Sequence, residues 1–459
     1  MKLNVLPTSP ETPAVAATGK RAFIHTFGCQ MNESDSARMA EILKTQGYAA
    51  TPDVESADLI LLNTCAIREK AEQKLFSALG RYRQVKLSRG ALIGVAGCVA
   101  QQEKEALTQR VPYVDFVLGP DAIGKLPEIL ARVEQKERVV ETAWMDSEEY
   151  VFPRADPDSA RGKVSEFVTV MKGCNNVCAF CVVPRTRGRE VSRPVAEVML
   201  EVKALADVGV KEVTLLGQNV NSYLGGVDFA QLLLRTAQIP GIERVRFTTS
   251  HPHDLSDALI EAFRVEPKIA PHFHLPVQSG SDTVLKRMRR DYTVEQYLER
   301  LAKLRAARPD IAVTTDIIVG FPGETDDDFE KTMQLLETVR YDNIYSFVYS
   351  PRPRTSAIRH EEEWGVIDHH VKVARLERLQ KRHNEIGTEL ARESLGKVVE
   401  VLVEGPSRTR ADLRMGRTAH NRVVNFAGDA AAGTFARVKV EGARHNALAG
   451  IQVSSPHAV

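Results

Sequence analysis

LILLNTCAIREK, Leu59 to Lys70, decides the reading of the fold: an apolar run stops abruptly at Asn63-Thr64-Cys65, and a charged, helix-favouring segment follows. The same ending occurs twice more, because FIHTFGC closes on Cys29 and LIGVAGC on Cys98. The intervals, 36 residues from Cys29 to Cys65 and 33 from Cys65 to Cys98, are about the length of a strand–helix–strand unit. From Arg21 to about Val140 such runs alternate with helical patterns. Helices are predicted around Ser34 to Thr45, closed by Gly47, from Arg68 to about Lys86, and around Gln101 to Arg110. VDFVLG and then IGKLPEILARV complete one more pair. Continuous apolar runs separated by helices predict a parallel sheet covered on both faces, an α/β unit of flavodoxin-like pattern spanning 21–145.

At 459 residues the chain exceeds one ordinary core, and about three domains is the expectation. Its 43% hydrophobic and 26% charged residues are those of a globular protein. Lys+Arg 61 against Asp+Glu 60 gives no global field, so an anionic partner must be met by local patches. Residues 1–20 read as a mobile tail without the apolar core of a signal peptide, and no segment approaches a membrane span. A cytoplasmic protein is expected. Six cysteines without an export signal argue against a disulfide scaffold and for metal or redox chemistry.

After a Pro-, Asp- and Ser-containing linker at 146–163, a second series begins. Its strand candidates are EFVTVMKG, EVTLLGQNV, RVRFTTS, HFHLPVQS, IAVTTDIIVGF and IYSFVYS. In PVAEVMLEVKALADVG, Val195, Val198, Met199, Val202 and Leu205 keep the spacing of a buried helix face. About six βα units within 164–388 predict a partial (βα)6 barrel, shorter than the eight-unit form. The charged helix HHVKVARLERLQKRHNEIGTELAR then leads to short alternating runs, which predict a small all-β barrel over 389–455.

The densest chemical signal is CNNVCAFC, with Cys174, Cys178 and Cys181 in a C-x3-C-x2-C array. A structural zinc wants four ligands, and no fourth Cys or His lies near in sequence. Three thiolates on a [4Fe–4S] cube leave one iron open. This array resembles that of the radical S-adenosylmethionine (SAM) enzymes. The resemblance implies SAM on the open iron, cleaved to a carbon radical, with Phe180 at the aromatic position that packs the adenine. Gln218 in LLGQNVNSY and Gln278 in HLPVQSGSD stand at the carboxyl ends of predicted barrel strands, where barrel active sites are built. Each can donate to SAM or substrate, or only satisfy local backbone. His251 and His253 read as loop residues, and Gly320, Pro322 and Gly323 as a turn.

If the first sheet is parallel, Cys29, Cys65 and Cys98 leave it at one edge, where ligands gather. Three exits of one polarity predict a second three-cysteine cluster. TFGCQMNESDSARM, NTCAIREKAEQK, VAGCVAQQ, CNNVCAFCVVPRTRGREVSRP, LPVQSGSD and GFPGET together resemble the methylthiotransferases, from about Arg21 to about Ala449. CQMN and NTCAIREKA favour the branch that acts on N6-(dimethylallyl)adenosine at position 37 of tRNA. Two relatives modify N6-threonylcarbamoyladenosine or an aspartate of a ribosomal protein. The resemblance implies two [4Fe–4S] clusters, SAM as methyl donor and radical source, an electron donor such as flavodoxin, an unspecified sulfur donor, and a monomer. It also implies that VLVEGPSRTR and GRTAHNRVVNF belong to a TRAM domain that binds RNA. There Arg408, Arg410, Arg414, Arg417 and Arg422 lie within fifteen residues beside one acid, Asp412, suiting phosphate contacts. Arg185, Arg187 and Arg189 either guide the substrate backbone or pair with local acids. One departure stands out: after YSPRP the family continues Gly-Thr-Pro-Ala, whereas Arg354 and Ser356 stand here. A different class, an iron–sulfur RNA-binding or redox-sensing protein without catalysis, is opposed by the SAM-type loop and the barrel glutamines.

Overall fold

A computed structural model describes residues 19–66, 69–146, 150, 152, 154, 156–408 and 410–453. The chain divides into two compact units, Met1–Val151 and Phe152–Val459. The expected tail therefore lies almost wholly outside the described residues, and the expected linker partly so.

The first unit runs β1 (Arg21–Phe27), α1 (Gln30–Thr45), β2 (Ala49–Ala50), β3 (Leu59–Thr64), α2 (Glu69–Arg89), β4 (Leu92–Ala96), α3 (Cys98–Glu103), α4 (Glu105–Arg110), β5 (Phe116–Leu118), α5 (Leu126–Glu134) and β6 (Val139–Glu141). Every pairing is parallel, in the order β2-β1-β3-β4-β5-β6. That is the flavodoxin-like order extended by one strand. All six residues of β3 are buried, as a strand covered on both faces requires. Leu59, Leu61, Phe116 and Leu118 pack with Met39 and Leu43 of α1 and with Leu126, Ile129 and Leu130 of α5.

Two helix starts differ from expectation. α1 begins at Gln30 with Cys29 as its N-cap, not near Ser34, and α3 begins at Cys98, not near Gln101. Cysteine is no capping residue by propensity, and the early start of α1 depends on distant side chains described below. The third expected helix is also broken in two at Lys104, whose φ of 50° ends the α-helical run.

The second unit begins β7 (Ser165–Thr169), β8 (Met171–Lys172), α6 (Val183–Thr186), β9 (Val191–Ser192), α7 (Val195–Asp207), β10 (Glu212–Leu216), α8 (Phe229–Ala237), β11 (Arg244–Phe247), α9 (Asp257–Val265), β12 (His272–His274), α10 (Asp282–Arg287) and α11 (Val294–Ala307). It continues β13 (Ala312–Val319), α12 (Asp326–Val339), β14 (Asn343–Val348), α13 (Ser356–Arg359), α14 (Glu361–Trp364) and α15 (His369–Arg392). Parallel pairing gives β7-β10-β11 and β12-β13-β14, joined by a parallel bridge between Val245 and Ile269. This is the expected six-unit partial barrel. Val198, Val202 and Leu205 of α7 pack on Val168, Val213 and Val245 of the strands.

β15 (Val398–Pro406), β16 (Arg414–Thr418), β17 (Val423–Ala427), β18 (Phe435–Arg444) and β19 (Ala447–Gln452) close into a barrel in the order β15-β16-β17-β19-β18. Its β16–β17 turn docks at the amino ends of the large barrel's strands. Arg246 donates from Nη2 to the Thr418 carbonyl at 2.8 Å, from Nη1 to the Ala419 carbonyl at 2.8 Å, and from Nε to Glu212 at 2.8 Å. Arg422 reaches Asp342 at 2.8 Å, and His420 lies 3.3 Å from Asp310. The amino-terminal face of such a barrel serves stability, leaving the opposite face for chemistry. Arg246→Ala leaves the Ala419 carbonyl without this donor, and leaves the Thr418 carbonyl and Glu212 with only the longer contacts from Arg244 at 3.4 Å. A loss of about 3 kcal/mol is expected, read as faster proteolytic release of the C-terminal barrel; an unchanged cleavage rate would contradict the docking role.

Candidate functional site

β1, β3 and β4 are neighbours in the first sheet, and each delivers its cysteine just past its carboxyl end. β1 and β3 flank the point where strand order reverses, the usual crevice of doubly wound sheets. Gly28, with φ 127°, and Gly97, with φ 90°, make the three loops pack closely. A Cβ on Gly28 would lie 2.3 Å from the Cys65 Cβ, and one on Gly97 would lie 2.3 Å from Asn63 Oδ1. Cys65 and Cys98 are buried and Cys29 is half-buried.

Asn63 shapes this edge. Its Oδ1 accepts from Asn32 Nδ2 at 3.0 Å, while its Nδ2 donates to the Asn32 carbonyl at 2.8 Å and to Ser36 Oγ at 2.9 Å. Cys29 Sγ in turn donates to Asn32 Oδ1 at 3.3 Å. Two fully buried amides thus tie β3 to the first turn of α1, which explains the helix's early start. Cys29 stands at the N-cap of α1 and Cys98 at the first helical position of α3.

The second trio lies on the loop from Gly173 to Cys181, between β8 and α6. Met288 accepts from the Ala179 N–H at 2.8 Å, and the Ala357 N–H donates to the Ala179 carbonyl at 2.8 Å. The Gly173 N–H donates to Gln218 Oε1 at 2.5 Å. Burial pushes the Cys174 thiol up to about 11 and the Cys181 thiol up to about 12, and the adjacent Cys178 raises both. Such thiols are neutral at ordinary pH, and a bound cation is what would draw them into the thiolate form. Among the described residues no three His, Cys, Asp or Glu side chains are grouped to hold a single metal ion. A four-iron cube takes its thiolates on separate irons and does not require convergence on one point. Each trio supplies the donor type that an iron–sulfur cluster takes.

Phe180 is half-buried against a cluster that contains Phe321 and Tyr349. Gln218 spends its oxygen on Gly173, while its buried Nε2 has no partner among the described residues, so it both satisfies backbone and keeps a donor in hand. Gln278 is buried with φ 73°, its N–H donating to the Asp316 carbonyl and its carbonyl accepting from Ile318 at 2.9 Å each. A left-handed, non-glycine residue at a strand's exit is the kind of strain found at functional sites. Gly320 and Gly323 shape the expected turn. His251 is buried and held down to about 3 by that burial, and its main chain is bound on both sides by the Asn221 amide. It is a neutral, structural residue.

Sequence reasoning missed Arg290. This buried guanidinium donates to Cys178 Sγ at 3.2 Å, to the Pro276 carbonyl at 3.0 Å and to Tyr292 Oη at 3.0 Å. The arginine cluster needs correction too. Arg410 pairs with Asp412, Arg417 with Glu404 and Arg422 with Asp342, leaving Arg408 and Arg414 without an ion pair among the described residues. Arg187 is buried, whereas Arg185 and Arg189 are exposed.

At the departure, Arg354 and Ser356 adopt backbone geometry that glycine and proline would also accept. Arg354 has φ 63°, the region glycine favours. Ser356 opens α13 after an extended Thr355 at φ −74° and ψ 160°, a geometry that suits proline. The segment still delivers the Ala357 N–H to the cysteine loop.

Residues 21–119 match the Uncharacterized protein family UPF0004, 168–336 the Radical SAM superfamily and 392–453 the TRAM domain. A tRNA-2-methylthio-N(6)-dimethylallyladenosine synthase of Myxococcus xanthus (strain DK1622) is 70% identical over 95% of this chain and 94% of its own length. A synthase of the same name from Acidovorax sp. (strain JS42) is 50% identical over 94% of this chain and 97% of its own. Among solved structures, the radical S-adenosylmethionine methyltransferase TsrM of Kitasatospora setae, with cobalamin and a [4Fe-4S] cluster bound, has a TM-score of 0.55 at 14% identity. It covers 75% of this chain and 78% of that one, a likeness of fold.

Arg354→Gly with Ser356→Pro is expected to raise the thermal unfolding midpoint, each change contributing on the order of 0.5–1 kcal/mol. Calorimetry showing a lower midpoint would contradict the backbone assignment.

Proposed function

This chain belongs to the family of tRNA-2-methylthio-N(6)-dimethylallyladenosine synthases, and on that premise we propose how its residues divide the work. It is a radical SAM tRNA methylthiotransferase that acts on prenylated adenosine. Radical SAM membership brings SAM and a [4Fe–4S] cluster, and the TRAM domain brings RNA binding. In our reading Cys174, Cys178 and Cys181 hold the SAM-binding cluster, and Cys29, Cys65 and Cys98 hold a second, auxiliary [4Fe–4S] cluster. When bound, these groups supply the one-electron chemistry that activates the C2–H of the adenine and the sulfur that is methylated and transferred. General acid–base or nucleophilic side chains do not suffice for an unactivated C–H bond.

The protein's own contributions follow from the geometry. Arg290 sets a buried positive charge against Cys178 and anchors it to the Pro276 carbonyl. Gln218 fixes the start of the cysteine loop through Gly173, and its amide Nε2, unpartnered among the described residues, would be a donor to bound SAM. Phe180 forms a wall for the adenine of SAM, and Gln278 is placed to contact SAM or substrate. Arg408 and Arg414 are the arginines left for RNA phosphates. The domains run 21–145, 164–388 and 389–455, and the enzyme works as a cytoplasmic monomer on the nucleotide next to the anticodon, reduced by a donor such as flavodoxin. No described helix is long and apolar enough to cross a membrane.

The observation that carries the division of labour is the presence of two separate cysteine trios, each just past the carboxyl ends of parallel strands or on the loop above them. Cys65→Ala is expected to cleave SAM reductively yet yield no methylthio product. An undiminished product would sink the sulfur-carrier role. Mass spectrometry of tRNA nucleosides from a strain lacking the gene should show 2-methylthio-N6-dimethylallyladenosine missing and its unthiolated precursor accumulated; persistence of the methylthio nucleoside would exclude the substrate.

A further inference from the structure

The strands of the large barrel alternate strictly, with one set of side chains under the helices and the other on the inner wall. Phe273, Val313, Ile317 and Ile344 belong to the covered set. His274, Thr314, Asp316, Tyr345 and Phe347 belong to the inner set, with Thr314 opposite His274 and Asp316 opposite Tyr345 in register. Among the described residues of β7 and β10–β14, Tyr345 at 46% and Phe347 at 38% are the only large apolar side chains left exposed. Single exposed apolar residues need no explanation, but two rings side by side on the inner wall of a reaction barrel form a patch.

These rings are held in place. Tyr345 stands edge-on to His274 with centroids 5.6 Å apart. His274 is fixed in turn, its Nδ1 3.0 Å from Thr314 Oγ1 and its Nε2 3.6 Å from Asp316 Oδ2. On the outer side Ser346 Oγ accepts from Gln380 Nε2 of α15 at 3.1 Å, and the parallel pairing of β14 with β13 sets which residues share the inner face. The next inner residue of β13, Ile318, lies opposite Phe347 and packs against the same cluster as Phe180. The patch therefore lies on the wall beside the cysteine loop.

We propose that Tyr345, with Phe347 beside it, seats the dimethylallyl group of the target adenosine and so selects prenylated over unprenylated tRNA. The inference rests on the function proposed above. The dimethylallyl group is a branched, largely flat five-carbon substituent without a hydrogen-bonding atom of its own. It is recognised by apolar contact, and a preorganised aromatic face supplies that at little ordering cost. A substituent bearing a carboxylate would lose its hydration against these rings and gain no donor from them.

The test uses the reconstituted, anaerobic holoenzyme with two anticodon stem-loop RNAs that differ only in the prenyl group. Fluorescence anisotropy gives the ratio of the two affinities. Wild type is expected to prefer the prenylated RNA, and Tyr345→Ala to lower that ratio by about tenfold or more, the scale of lost methylene contacts in an apolar pocket. Tyr345→Phe keeps the ring and is expected to keep the ratio; Phe347→Ala lowers it. A Tyr345→Ala ratio equal to wild type overturns the proposal, as does an equal loss of affinity for both RNAs, which marks a merely structural ring. A wild type with no preference at all counts instead against the substrate assignment itself.

Discussion

Parallel strands share one edge for all their carboxyl ends, and both halves of the chemistry depend on that constraint. In the first unit it carries three cysteines, separated by more than thirty residues each, to neighbouring exits of β1, β3 and β4. In the second it leaves the Gly173–Cys181 loop, Gln218 and Gln278 at the top of the barrel strands while the C-terminal barrel closes on the bottom. An antiparallel arrangement would scatter these residues over two edges.

Burial sets the second condition. Thiols raised to about 11 and 12 do not ionise at neutral pH without a cation. The same burial suits a site that must hold iron and keep water from reactive species. Arg290 sets a positive charge beside Cys178, and other polar groups serve loop geometry. Asn32, Asn63 and Gln218 belong to that second group: each ties a cysteine loop to a neighbouring element.

The architecture was legible in the sequence where patterns are long. The bounds of α15, His369–Arg392, coincide with the charged helix read in the sequence, and the six strands of the large barrel fall in or within one residue of the apolar runs, whereas β16 and β19 of the small barrel lie in none. β2 and β6, of two and three residues, are too short to carry a period. The six cysteines were legible because their spacing and their place after apolar runs are local facts. Arg290 was not, since its partner Cys178 lies 112 residues away. Within the C-terminal arginine cluster, among the described residues, only Arg422 has a partner that local counting could not reach, because Asp342 lies 80 residues away. The Arg354 segment shows the converse: it departs in sequence, yet its angles stay in the regions that glycine and proline suit and Ala357 still bonds the cysteine loop.

The account turns on the first trio holding a cluster of its own. Mössbauer spectroscopy of iron-reconstituted protein carrying Cys174→Ala, Cys178→Ala and Cys181→Ala tests this directly. The spectrum expected is that of one [4Fe–4S] cluster, with about four irons per chain, half the wild-type content. Iron falling to background in that variant would contradict it.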